Sequence, residues 1–378
     1  MKLQVVPNPE RQAWNAFVAC QAGASLYQSY EWGQIKQAQG WKPHYLAVAD
    51  GTFWVGAALV LSKRLPGLGT ILYSPAGPLS NADWNEALPK LLGAVRMVAR
   101  QVNALFWRIE PRVPAHDEKM GCLLAQAGFV SIPQEWSYWN RPKYDLHLCL
   151  SPGEDELFKG LGKKDRYGIR TSRKKLRIHA NTTDDSLQAF YRLLKHTGRK
   201  KGILIQSLDH YRRCRDVLAE SKMIQIFLAQ DGDQTVAAGV STRFGRTATL
   251  FHMSNDYSVP NAGAAVQWEM IRWAISEGCR LYDFAGTGTN FPPRKTDKGY
   301  GVYQFKRSFG AEIVAWYGYA DYVFRPALYG LFRAVERSLP YGERVLLDWP
   351  KGLLYRLRTR KRFSKEEGSL TGNKDEKG

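Results

Sequence analysis

The residues best suited to chemistry in this chain lie between Leu281 and Gly310, LYDFAGTGTNFPPRKTDKGYGVYQFKRSFG. An apolar segment, Leu281 to Phe284, ends in a loop of Gly, Thr, Asn and Pro that also carries Lys and Arg, and an aromatic, basic segment closed by Gly310 follows. Too few apolar side chains are present to hold such a loop by packing, so binding is the favoured reading and a solvated connection the alternative. A second concentration of charge lies upstream. Lys159, Lys163, Lys164, Arg166, Arg170, Arg173, Lys174, Lys175 and Arg177 stand against a single acid, Asp165. Wound on a helix, these cations repel one another unless phosphates neutralise them, which favours phosphate contact over a merely solvated face. Asp283 and Glu110, each at the end of an equivalent strand, are candidate proton acceptors, although Asp283 is better placed to hydrogen-bond its own loop backbone. His196 and His252 are lone histidines, which more often satisfy a local hydrogen bond than catalyse.

The 378 residues carry 54 Lys and Arg against 35 Asp and Glu, a formal net charge of +19, with 44% hydrophobic residues. That is enough for two domains with sizeable cores, a soluble globular protein, and a polyanionic partner such as RNA, a nucleotide diphosphate or an anionic membrane surface. Cys20, Cys122, Cys149, Cys214 and Cys279 form an odd set without a CxxC pair, so neither a zinc site nor a disulfide framework is expected. The N-terminal MKLQVVPNPERQ has no apolar h-region, and no later run reaches the ~18 apolar residues needed to span a bilayer, so a cytoplasmic location is expected.

The elements that must position these residues repeat. Leu26 to Trp41 reads as a short helix with Ser29 as N-cap and Gly40 as its end. HYLAVAD, a turn at Asp50 and Gly51, and TFWVGAALVLS then form a hairpin, followed by a strand near Thr70 to Ser74, a helix from Trp84 to Asn103 and a strand from Ala104 to Ile109. The same order returns at an offset of 181 residues, Asp50 to Asp231: IQIFLAQ, QTVAAGVSTRF, TATLFHMS, a helix Ala262 to Glu277, and RLYDFAG. This is a duplicated α/β unit with separate cores, a chance likeness of two common patterns being the alternative. A helix Ser186 to Lys195 precedes the basic HTGRKKGI, and past Gly310 a strand AEIVAWYGYA leads to a helix carrying Leu328, Leu331, Phe332 and Val335 on one side. LLYRLRTRKRF interleaves Leu and Tyr with cations as a membrane-surface helix does, or as the basic end of a packing helix does. The tail from Ser364 is expected to be disordered.

Three pieces then carry a resemblance. SYEWGQIKQAQGW, YDFAGT at Tyr282 to Thr287 and GVYQFKRSFGAEIVAWYG at Gly301 to Gly318 resemble the Fem-type aminoacyltransferases, and KKDRYGIRTSRKK and TGRKKG are similar to two further elements of that family. The matches run in the family's order from about Leu26 to Tyr329. The resemblance implies an α/β fold (α+β) of two tandem acetyltransferase-like (GNAT-type) domains with mixed sheets. The expected division is 1-150 for the first domain, completed by 319-350, then 151-318 for the second and 351-378 as a basic tail. It also implies transfer of an amino acid from aminoacyl-tRNA to the position-three side-chain amine of a peptidoglycan stem peptide, on UDP-MurNAc-pentapeptide or lipid II. Both substrates are polyanions, in keeping with the charge.

On the matched positions, the resemblance makes Lys36, beside Trp32, the contact to the substrate diphosphate and Arg199 a second phosphate contact. It sets Glu110 near the substrate peptide and Gly286 in the loop. Lys306 falls near the reacting ester, with Tyr303 one helical turn before it. Lys163, Lys164, Arg166, Arg170, Arg173, Lys174 and Lys175 become tRNA contacts. No cofactor or metal is required, and a monomer with peripheral membrane contact through the basic C-terminal segment is expected. The second domain is expected to hold the transfer chemistry and the first to grip the sugar-peptide.

Ser172 stands where the family often has Ala, and Ala285 where it often has Gly; neither is diagnostic. The family's long coiled-coil arm is also absent, since the basic stretch runs straight into RIHAN. The rival reading is an acyl-CoA-dependent N-acyltransferase of the same fold. Against it, Pro260 stands where the pyrophosphate loop of such enzymes carries Gln or Arg. A non-enzymatic RNA-binding protein accounts for the basic stretch but leaves FKRSFG and the duplication unexplained.

Overall fold

A computed structural model describes residues 3–7, 9–81, 83–132, 144–201, 205–287, 292–297 and 299–338. The stretch LLYRLRTRKRF and the tail lie outside these residues, as do parts of the loop after Thr287 and of HTGRKKGI.

The first unit comprises β1 (Leu3–Pro7), α1 (Arg11–Ala19), α2 (Tyr30–Gln37), β2 (Lys42–Asp50), β3 (Phe53–Leu65), β4 (Gly69–Ser74), β5 (Leu79–Ser80), α3 (Trp84–Val102), β6 (Ala104–Ile109), α4 (Glu118–Gln126) and β7 (Phe129–Ile132). The second runs through β8 (Tyr144–Cys149), α5 (Gly153–Gly160), α6 (Lys163–Lys175), β9 (Arg177–Asn181), α7 (Asp184–Lys201), α8 (Leu208–Glu220), β10 (Ile224–Asp231), β11 (Gln234–Phe244), β12 (Thr247–Asn255), α9 (Ala262–Ser276), β13 (Leu281–Gly286), α10 (Tyr300–Arg307) and β14 (Glu312–Ala315). β15 (Tyr319–Val323) and α11 (Pro326–Ser338) close the described chain.

The duplication is present in detail. In both sheets an antiparallel hairpin, β2 with β3 and β10 with β11, is followed by a third antiparallel strand, a crossover helix and a parallel strand, β4 beside β6 and β12 beside β13. Even the register slip recurs, between Val48 and Ala49 and between Ala229 and Gln230. Local signals set the ends of α2 as expected: the Ser29 hydroxyl accepts the Trp32 N–H at 3.0 Å, and Gly40 turns the chain away at φ +81°.

The first sheet also takes in a strand from beyond the second unit. The orders are β1-β2-β3-β4-β6-β15-β7 and β14-β8-β13-β12-β11-β10-β9, so β15 sits inside the first sheet and β8 inside the second. The strand Tyr144–Cys149, on the first-domain side of the expected boundary at 150, therefore pairs in the second sheet. AEIVAWYGYA is not one strand but two, broken before Gly318 at φ +100° and paired in different sheets.

Separate cores are corrected too. One buried cluster lies in the second sheet and another in the first. A third is continuous across both units, from Trp14, Ile35 and Leu59 to Phe190, Tyr211 and Ile226. The face of α11 differs as well: Phe332, Arg333 and Glu336 are buried, whereas Leu328 and Leu331 are exposed. The aliphatic register there is overridden by a buried charge network described below. Among the described residues no helix is long and apolar enough to cross a membrane.

Candidate active site

β13 ends in a loop folded back on its own strand. The Asp283 Oδ1 accepts the Ala285 N–H at 2.7 Å, and Ala285 takes φ +56°, the left-handed region that costs a residue with a Cβ about 1–2 kcal/mol. Lys306 on α10 closes this turn. Its side chain is buried, and Nζ donates to the carbonyl oxygens of Phe284 at 2.5 Å, Ala285 at 3.0 Å and Gly286 at 2.6 Å. These are all three donors of an ammonium, so in this structure Lys306 shapes the loop. Burial pushes its pKa down to about 8, while Asp283 and Asp145 act to raise it. Tyr303, one turn earlier, is half-buried against the second-sheet core with its ring 5.8 Å from that of Tyr300.

Residues that sequence reasoning missed surround Asp283. Asp145 and His147 stand two apart on one face of β8, and His147 Nε2 lies 3.6 Å from Asp283 Oδ1. Asp145 Oδ2 accepts from Arg112 Nη1 at 2.7 Å and from Trp316 Nε1 at 2.8 Å, and the Arg112 guanidinium lies 4.7 Å over the Trp316 ring. Burial raises the Asp283 pKa and the nearby Asp145 charge adds to it, opposed by His147, Arg112 and the Ala285 N–H. The ligand atoms of Asp145, His147 and Asp283 lie within 4.8 Å of one another, as a cation site requires, but Arg112 and Lys306 already bring positive charge to both carboxylates. An Asp and a His two apart in the otherwise apolar YDLHLC was the available signal. Arg112 follows Glu110 by two residues, so it ties the end of β6 to the second sheet.

In the first unit, Lys36 lies 5.3 Å over the Trp32 ring and donates to Gln39 Oε1 at 2.9 Å. Trp32 is only 7% exposed, and its buried Nε1 has no hydrogen-bond partner among the described residues. Gly33 is what lets α2 approach β2: a Cβ there would stand 2.0 Å from the Tyr45 hydroxyl, which donates to the Tyr30 carbonyl at 2.8 Å. Gly33→Ala, which in an ordinary helix gains up to ~1 kcal/mol, is expected here to cost ~1–3 kcal/mol through overpacking. A thermal melt at or above that of the parent would contradict this. Glu110 is buried; its Oε2 accepts the Tyr73 hydroxyl at 2.9 Å and the Ala76 N–H at 3.4 Å.

The basic helix α6 is partly neutralised from within, a correction to nine mutually repelling cations. Arg173 pairs with Glu269 at 2.7 Å, Lys175 with Asp231 at 3.2 Å, Arg166 donates to the Lys159 and Leu161 carbonyls, and Arg170 lies 5.1 Å over Phe158. Lys163, Lys164 and Lys174 remain exposed with Tyr167, itself 72% exposed. The helix ends at Leu176 and β9 follows directly, without an arm. α7 continues through Gly198, so the exposed Arg199 is helical, and no described contact joins it to Lys36 or Lys306. The structure thus groups Lys306, Asp283 and Gly286 at one point and Lys36 with Trp32 at another.

Helix N-termini, where an acyl-CoA pyrophosphate would bind in such a fold, are closed. Over α9, the Ser172 hydroxyl donates to the Pro260 carbonyl at 2.9 Å, and a Cβ on Gly168 would meet Asn261 Cγ at 2.6 Å. At α3 the cap is Asp83, an anion itself.

These two sheets and their crossover helices are tandem acetyltransferase-like domains, and a profile of the acetyltransferase (GNAT) domain matches residues 161–307. A profile of the FemAB family matches residues 10–230, and the chain belongs to that family of Fem-type aminoacyltransferases. It is similar to a lipid II:glycine glycyltransferase of Staphylococcus haemolyticus (23% identical, 88% of this chain and 96% of the relative) and to one of Staphylococcus aureus strain USA300 (22%, 87% and 95%). Among solved structures, FemX matches with a TM-score of 0.78 at 20% identity over 88% of this chain and 100% of its own. L-PGS from Bacillus licheniformis also matches, with a TM-score of 0.52 at 14% identity over 88% of this chain and 98% of its own.

Proposed function

We propose that the protein transfers an amino acid from aminoacyl-tRNA to the position-three side-chain amine of a peptidoglycan stem peptide carried on UDP-MurNAc-pentapeptide or lipid II. The observation that carries this reading is the end-to-end match to relatives named lipid II:glycine glycyltransferases. The closed helix N-termini favour an ester donor over acyl-CoA, and the exposed Lys163, Lys164, Lys174 and Tyr167 offer an RNA backbone cations and a stacking ring. Lys36, held over the Trp32 ring, supplies a cation for the acceptor's diphosphate.

In the transfer, the neutral amine attacks the ester carbonyl and a tetrahedral oxyanion forms. The C–O bond to the ribose then breaks, and the proton lost by the amine ends on the departing ribose oxygen. The enzyme's task is to hold two large substrates and stabilise the oxyanion. Lys306 keeps the loop after β13 in shape for this; direct contact with the oxyanion exchanges one of its three carbonyl bonds, the longest being that to Ala285. The protein works at the cytoplasmic side as a monomer, with LLYRLRTRKRF against anionic lipid.

Incubation with charged tRNA and either acceptor is expected to yield a branched stem peptide, read by mass spectrometry. Transfer from acetyl-CoA, with none from tRNA, would overturn the proposal.

A further inference from the structure

We propose that His210 is a positioning residue that sets the Lys36 ammonium for the acceptor's phosphates. The inference rests on the reading above in one respect, that Lys36 meets a diphosphate.

The residues form a chain from one unit to the other. Lys36 Nζ donates to Gln39 Oε1 at 2.9 Å, Gln39 Nε2 lies 2.5 Å from His210 Nδ1, and His210 Nε2 lies 3.7 Å from the Cys214 sulfur. With its oxygen taken by the ammonium, the Gln39 carboxamide presents its NH2 to the ring. An amide nitrogen only donates, so Nδ1 must accept, and the ring proton sits on Nε2, facing the thiol. The imidazole must be neutral for this. Burial, with Lys36 and His252 nearby, holds its pKa down to about 4, and burial pushes the Cys214 thiol up to about 12. Every donor in the chain therefore points away from Lys36, and its own positive charge polarises the series in that sense.

A lysine on a four-carbon stem has many rotamers, and ordering one costs up to ~2 kcal/mol. Here the ammonium is fixed by the Trp32 face and by Gln39, and Gln39 is fixed by His210. The helix that carries Trp32 and Lys36 is also held at its other end: the fully buried Glu31 accepts the Ser221 hydroxyl at 3.1 Å, Arg11 Nε at 2.8 Å and Asn15 Nδ2 at 2.9 Å. The second unit, through both ends of α8, thus sets where the first unit's cation stands.

The test compares the full-length enzyme with His210→Phe, His210→Asn, Lys36→Met and the double variant His210→Phe/Lys36→Met. Substrates are aminoacyl-tRNA with UDP-MurNAc-pentapeptide or lipid II in micelles. Phe removes the acceptor for Gln39, whereas the Asn Oδ1 stands close to where Nδ1 was. His210→Phe is expected to raise the acceptor KM about tenfold, the worth of one hydrogen bond, with kcat and the donor KM little changed. His210→Asn restores the acceptor KM, and adding His210→Phe to Lys36→Met raises it no further. Additive effects in the double variant, or an equal rise in both KM values, would overturn the inference. An acceptor KM left unchanged by Lys36→Met itself would instead overturn the reading of Lys36 on which it rests.

Discussion

Lys306→Met is expected to lower kcat by roughly 10²–10³-fold, the range seen when one fixed polar contact is removed from a reacting centre. The circular dichroism spectrum should remain that of the parent. The variant loses the group that, among the described residues, bonds the Phe284, Ala285 and Gly286 carbonyls together, so the left-handed turn at Ala285 relaxes, while the rest of α10 keeps its packing. A kcat within a few-fold of the parent would remove Lys306 from the mechanism. The lowered pKa adds an independent signature. As pH rises through about 8 the ammonium becomes an amine with two protons for three carbonyls, so activity should fall. Stability should move the other way. Between about 8 and 10.5, the ordinary lysine value, the unfolded chain binds a proton that the folded one does not, so this residue favours folding increasingly as pH rises through that window. Activity lost while the thermal midpoint holds or rises separates this titration from alkaline unfolding.

The second large effect is on stability. Arg108 is fully buried and donates to Asp321 Oδ1 and Oδ2, each at 2.7 Å, and to Glu336 Oε1 at 2.7 Å. Asp321 also accepts the Tyr329 hydroxyl at 3.0 Å, and Arg333 pairs with Glu336. This network joins β6, β15 and α11. Arg108→Met takes these guanidinium bonds away from two buried carboxylates, and the expected cost is about 3–5 kcal/mol. The melting temperature should fall on the order of 10 °C, with near-parental turnover in the cold. A melt within about 2 °C of the parent would show that the carboxylates find other partners.

The hairpins, the crossover helices and the caps of α2 could be read from the sequence because each depends on neighbours a few residues away. The sheet that receives a strand could not. YDLHLC and YADYV have the composition of strands, but nothing within them names a partner, since their partners are distant in the chain; only the family resemblance pointed to 319-350 completing the first domain, and it left YDLHLC on the wrong side of the boundary. The same limit hid Asp145 and His147, assigned by position to the first domain although they face Asp283 in the second. In α6 the cations were visible and their partners were not: Glu269 and Asp231 reach them only through folding. In α11 the sequence shows Leu328 and Leu331, but the buried face is chosen by Arg108 and Asp321. For the loop after β13, the residues were legible and the clamp was not, because a lysine near a loop reads as a cation aimed outward until its three bonds to carbonyls are seen.

The placement of β15 between β6 and β7 bears on how the protein is made. Among the described residues β7 pairs with β15 alone, so as the chain leaves the ribosome the edge of β6 and the whole of β7 wait for Tyr319–Val323. At ~5–20 residues per second that wait lasts on the order of ten seconds or more. Until then the N-terminal unit carries an open slot one strand wide, and its sheet is completed only after the entire second unit has been synthesised.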